Sequence, residues 1–298
     1  MVALSKSPTD ETSANDKAEP GIMTRLSRWI AHNPVTALGI GIVLFIAIAG
    51  LLAPLIAPYD PYSLNPKNRL LPPSATHFFG TGLFGEDIFS RILYGARIDL
   101  LIGIGAVIFG IAVGCPVGAL AGYFSGKVDE ILMRVMDIIA AFPGFILAMA
   151  IAGVLGPSIP NLIIAIAFVN VPVYARLMRA KFLIIRSSTY AMAAQGVGAS
   201  RWRILWWHLL PNSLAPIFVQ ATLQFGWAIL DAAGLSFIGL GVRLPTPEWG
   251  VMISLGVPQI ISGQWWVSFF PGLAIFISVM GFNLIGDGLN DLLDPKSK

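Results

Sequence analysis

The amino-acid sequence predicts an all-α integral membrane protein with about six transmembrane helices. Three observations carry that expectation. Of 298 residues, 56% are hydrophobic and only 12% charged, against about 25% charged in a soluble domain. The apolar residues fall into long blocks rather than short periodic stripes. Six of those blocks approach the about 20 helical residues needed to cross a hydrocarbon layer, where backbone groups must be paired internally.

The blocks run from Val35 to Ile56, Leu100 to Gly122, Val135 to Leu155, Ile159 to Tyr174, Leu214 to Gly239 and Val267 to Ile285. The fourth is the shortest and can extend toward Leu177. Gly156-Pro157-Ser158 between the third and fourth predicts a tight hairpin. Ahead of the first block, residues 1–24 form a polar tail, rich in Ser, Thr, Asp, Glu and Lys, whose composition predicts disorder. Residues 25–298 make up the membrane domain. Ala47-Ile48-Ala49 resembles a signal-peptidase site, but the acidic polar region before it and the apolar run through Ile56 argue against cleavage.

Lys and Arg in the short connections set the orientation. Arg25 and Arg28 precede the first block, Lys127 and Arg134 lie between the second and third, and Arg176, Arg179, Lys181, Arg186, Arg201 and Arg203 lie between the fourth and fifth. Lys296 and Lys298 close the chain. Both termini are therefore predicted to be cytoplasmic. Residues 57–97 become an external loop despite Lys67, Arg69, Arg91 and Arg97, since long translocated segments obey the charge rule weakly.

Several function classes lack support. The net charge of +3 is spread between apolar blocks, with no basic patch for nucleic acid. Cys115 is the single cysteine and sits in an apolar block as a small packing residue. His32, His77 and His208 fall in separate segments and assemble neither a metal site nor a triad locally. The surroundings of Gly126-Lys127 fail the Walker A pattern, and Ile261-Ser262-Gly263-Gln264 is only superficially like an ATPase signature. No polar constellation suggests an intramembrane enzyme.

Other features invite two readings each. Gly110, Gly114, Gly118 and Gly122 repeat every four residues, after Ala106, and allow close helix approach either within the chain or at a subunit interface. Pro116 is expected to bend the same helix. Asp231 lies inside the fifth block, where an acid is costly unless it meets water or a polar partner. It lines or gates a path, or it makes a hydrogen-bonded contact near the outer interface. Gln220 and Gln224 mark one face of the same block.

The connection 181–212 is the most informative. Ser187, Ser188 and Thr189 offer caps for a helix around Tyr190 to Val197, and Gly198 supplies the left-handed turn that ends it. Ser200 caps a second helix, in which Trp202, Leu205, Trp206 and Leu209 share one face up to the boundary at Pro211. Such a helix-turn-helix suits a groove on a soluble partner or the lipid headgroup layer.

The residues Tyr190 to Ser200, followed by His208-Leu209-Leu210-Pro211-Asn212, resemble the coupling-loop signature of ABC importer permeases. Ala193, Ala194, Gly198, Leu210 and Pro211 match, while Met192 replaces the usual Glu. The segments around His77 to Thr81, Gly85 to Arg91 and Gly95 to Arg97 are similar to the dipeptide, oligopeptide and nickel branch, with departures at Gly82 and Glu86. Leu235 to Gly241, Pro245 to Gly250 and Asn283 to Pro295 continue the similarity. The resemblance implies a type I importer permease fold, in the second of two permeases, in a bacterial or archaeal cytoplasmic (inner) membrane. It also implies a second permease subunit, two ABC ATPase subunits and an extracytoplasmic solute-binding protein as partners. This chain would then bind no cofactor and catalyse nothing, ATP and Mg belonging to the ATPases. An ion-coupled transporter or passive channel built around Asp231 is the alternative.

Overall fold

The computed structural model describes residues 33–293; the predicted tail, 1–24, and the basic residues at both extremes lie outside them. The main helices are α1 (Pro34–Leu51), α2 (Ile88–Phe124), α3 (Gly126–Ala140), α4 (Gly144–Leu155), α5 (Ile159–Ile185), α6 (Thr189–Gly196), α7 (Ala215–Phe237), α8 (Trp249–Ile260) and α9 (Trp266–Leu293). Among the described residues no strand forms beyond an isolated bridge between Thr81 and Asp87. α1, α2, α5 and α9 are long and apolar enough to cross a membrane, and the bent pair α3 and α4, counted as one span, has the length and composition for a fifth. α7 has 23 residues, enough for a sixth, although Gln220, Gln224 and Asp231 dilute its apolar character.

Several boundaries differ from the sequence expectation. α2 starts at Ile88, inside the predicted external loop, because Asp87 caps it by accepting the Ser90 N–H at 2.8 Å. The predicted third span, Val135 to Leu155, is not one helix: α3 and α4 meet at an 86° bend across Ala141-Phe142-Pro143. Pro143 lacks an N–H and disfavours helix before it. α5 continues to Ile185 and α9 to Leu293, beyond their predicted ends at Tyr174 and Ile285. α8 occupies a stretch that reads from sequence as a plain connection.

The second and fifth helices organise the bundle. α2 runs unbroken through Pro116 and packs along α5 on its glycine line. A Cβ at Gly118 would stand 2.1 Å from the Ala175 carbonyl oxygen, and one at Gly114 would stand 2.7 Å from that of Val171. Gly110 and Gly122 meet Tyr174 and Phe182 in the same way. The stripe therefore faces a helix of its own chain. The predicted hairpin forms between α4 and α5: Gly156 is left-handed at φ +82°, and Ser158 caps α5 by accepting the Asn161 N–H.

At one end of the bundle, residues 57–87 and α8 build a cap. Trp249 is fully buried and donates its indole N–H to the Ile92 carbonyl at 3.1 Å. The Arg91 guanidinium donates to the carbonyls of Pro61 and Pro245 at 2.9 and 3.1 Å. His77 and Asp87 are buried together at 2.9 Å. Arg97 holds the last carbonyls of α1, Gly50 and Leu51, each at 2.5 Å.

Candidate functional site

The opposite end carries residues 186–214. α6 closes with paired hydrogen bonds, Ala199 N–H to the Ala194 carbonyl at 3.1 Å and Gly198 N–H to that of Gln195 at 3.0 Å. With Gly198 at φ +83°, this is a Schellman turn. Ala194 is thus the carbonyl the turn closes on, and the Ala193 carbonyl accepts the Val197 N–H at 3.1 Å. A Cβ on Gly198 would meet nothing within 4 Å. Its φ, not crowding, selects glycine. Ser188 occupies the cap position of α6, but its hydroxyl makes no capping bond.

Ser200 does cap the next turn, Arg201–Arg203, by accepting the Arg203 N–H at 3.3 Å. The expected second α-helix then gives way to a π-helical segment, Ile204–Leu209, with Leu210 N–H bonded five residues back to the Leu205 carbonyl at 3.0 Å. That winding changes the buried face. Ile204, Leu205 and Leu209 point inward, Trp206 is half-buried, and Trp202 is 55% exposed with one edge against Phe124. Trp202 therefore leaves the predicted apolar stripe and Ile204 replaces it. Pro211 follows, exposed, and opens the short turn Pro211–Ser213 into α7. His208 is half-buried, and its carbonyl accepts the Asn212 side-chain amide at 2.6 Å.

Inward residues of this segment join Cys115, Tyr174, Met178, Phe182 and Ile217 in one core, seating it on the ends of α2, α5 and α7. Outward, Tyr190, Met192, Ala193, Val197 and Trp207 are exposed. The arginines of α5 tie α3 to the same seat: Arg179 chelates Asp129, Arg186 donates to the Ser125 hydroxyl, and Arg176 meets Asp137 at 2.9 Å. Sequence reading counted these arginines only as topology signals.

Beside this seat lies a cavity of about 530 Å³ between α5, α7 and α9, within the usual range for small-ligand sites. Lys181, Gln220, Asp287 and Asn290 supply its polar wall and Leu177, Val219 and Leu223 its apolar one. Gln220, Gln224 and Asp231 follow one line along α7, since steps of four and seven residues return to nearly the same face. Gln224 is buried and donates to Asn170 of α5 at 2.7 Å. Asp231 is half-buried and hydrogen-bonds to no described residue. Among the described residues no group of three or more metal-ligating side chains forms.

Residues 114–298 match the family described as binding-protein-dependent transport system inner membrane component, and residues 28–73 match the N-terminal transmembrane domain of oligopeptide transport permease C. The dipeptide transport system permease protein DppC of Alkalihalophilus pseudofirmus is 47% identical over 92% of each chain. The probable D,D-dipeptide permease DdpC of Escherichia coli K12 is 44% identical over 97% of each. A glutathione transport system permease protein, GsiD of Pectobacterium atrosepticum, is 42% identical over 91% of this chain and 90% of its own. Among solved structures, the inward-facing methionine ABC transporter MetNI shares the fold with a TM-score of 0.54 at 19% identity, covering 66% of this chain and 93% of that one.

Proposed function

We propose, from the premise that this chain belongs to the binding-protein-dependent inner membrane transport components and is a peptide-type ABC importer permease, that the segment 186–214 docks the ATPase that drives it. The observation that carries this reading is the Schellman turn at Gly198, which presents an apolar ridge of Tyr190, Met192, Ala193 and Val197 on a firmly packed seat. Ala193, Ala194 and Gly198 shape the ridge, and His208, Leu210 and Pro211 fix where it rejoins α7. An exposed apolar helix with a rigid turn suits a groove on a soluble protein. With Met192 at the ridge, apolar contact outweighs charge pairing there.

In this reading a second permease completes the pore, two ATPase subunits bind ATP and Mg at the cytoplasmic side, and an extracytoplasmic solute-binding protein delivers cargo to the cap. Both termini then lie in the cytoplasm. α5 and α7 transmit ATPase closure, since the docking segment is continuous with both. The bidentate Arg179 to Asp129 clamp makes α3 follow α5. The cavity forms the inner mouth of the path, and the line from Gln220 to Asp231 forms its wall, with Asp231 as the gating or lining acid. The cargo is a short peptide or related amide solute: the names of the relatives point that way, and Lys181 and Asp287 offer opposite charges to its two ends.

Purification of the tagged chain from its own membrane in mild detergent, with mass spectrometry of co-purifying proteins, tests the proposal. A second permease and ABC ATPases are expected. Recovery of intact chain without any ATPase in several detergents would overturn it.

A further inference from the structure

The cap holds two carboxyl groups that the transport reading does not use. Asp99 on α2 and Glu248 just ahead of α8 are both at 0% exposure, and Asp99 accepts the N–H of Trp249, the residue that follows Glu248, which brings the two carboxyl groups into one buried site. Glu248 caps α8, one oxygen accepting the Gly250 N–H and the other the Val251 N–H, each at 2.8 Å. Asp99 Oδ2 accepts the Trp249 N–H at 3.2 Å, whereas Asp99 Oδ1 has no donor. Two adjacent buried carboxylates repel strongly, and one of such a pair keeps its proton.

We propose that Asp99 and Glu248 form a one-proton site, with the proton on Asp99 donated to the Glu248 carboxylate, and that this proton fastens α8 to α2. The assignment within the pair follows from the hydrogen bonds. Glu248 has two backbone donors and the positive end of α8, which favour its charged form; Asp99 has one donor. Burial pushes the Glu248 carboxyl up, and the Gly250 and Val251 N–H groups oppose that shift. A proton on Asp99 Oδ1 turns that orphaned oxygen into a donor, with the Glu248 carboxylate as its acceptor.

Among the described residues no cation acts on the pair. Arg91, two turns earlier on α2, is engaged by the carbonyls of Pro61, Pro245 and Thr246. The Glu86 carboxylate accepts the Phe84 N–H at 2.8 Å, and His77 is bonded to Asp87. From α7 the Ser236 hydroxyl adjoins Glu248. α8 carries no titratable side chain, and the acids of α9, Asp287 and Asp291, lie near its opposite end.

The pH dependence has a definite sign. In the unfolded chain both carboxyls titrate near pH ~4, so at neutral pH the folded chain holds one more proton than the unfolded one. The contribution is greatest below that range and falls as pH rises, by up to about tenfold in the folded-to-unfolded ratio per pH unit, until the pair loses its proton. Proton loss leaves two facing carboxylates that push α8 away from α2.

Infrared spectroscopy of the full chain at neutral pH tests this directly. The wild type should show the C=O stretch of a protonated, buried acid, and Asp99→Asn should lose that band together with this part of the alkaline loss of stability. Asp99→Ser, a smaller hydroxyl donor, gives the same reading if Asn is not accommodated. A wild type without the band, or a band that survives in either folded variant, would overturn the proposal.

Discussion

The two ends of this molecule are built by opposite means. The cap is fastened from inside, by buried Trp249, by Arg91 on loop carbonyls and by carboxyl groups with no access to solvent. The coupling end is fastened by one apolar face and leaves its other face bare, with Val197 86% and Trp207 80% exposed. Removing a side chain from the cap is therefore expected to cost the fold, and removing one from the exposed ridge to leave the fold intact.

The largest expected effect lies in the cap. Trp249→Ala leaves a cavity facing Gly95 and should destabilise the chain by about 3–5 kcal/mol, seen as loss of folded protein in the membrane and a lower melting temperature. Trp202→Ala should cost the fold only the about 0.5–1.5 kcal/mol of its edge contact with Phe124, while weakening ATPase recovery in pull-downs. Next, Val197→Asp should leave stability within about 0.5 kcal/mol of wild type yet abolish uptake. Equal abundance losses at Trp249 and Val197 would erase the contrast between the two ends. The smallest effect is expected at Arg176→Gln: its pair with Asp137 is half-exposed on both sides and contributes about 0–1 kcal/mol, measurable as a shift in detergent melting that shrinks in high salt.

The same contrast explains what the sequence reveals. α6, Gly198 and the Ser200 cap are legible because a capping residue, a helix length and a glycine all act within a dozen residues. The glycine line of α2 is legible by its spacing, though its partner helix is not. The π-helical turn hides because Trp202 and Leu205 satisfy an α-helical stripe equally well, and the choice is made by Ile204 reaching the core under α5. In the cap almost nothing is local. Asp99 and Glu248 lie far apart in the chain, and α8 begins with a Glu cap among Pro residues that read as loop. Polar Arg91, Arg97 and Asp99 disguise the first turns of α2 as external chain, since their partners are carbonyls and acids distant in sequence. Averaged hydropathy likewise carried the predicted third span across Pro143, where the structure bends by 86°.

Peptide uptake and ATP hydrolysis measured in parallel, in vesicles containing the complete importer with Gly198→Asp, test most directly the proposed coupling of ATP hydrolysis through the turn at Gly198. Forcing a side chain into φ +83° costs the turn about 1–2 kcal/mol and places a charge on the docking ridge without a clash inside the chain. Normal abundance of the variant, lost uptake, and ATP hydrolysis no longer stimulated by substrate delivery are expected. Normal uptake at normal abundance would contradict it.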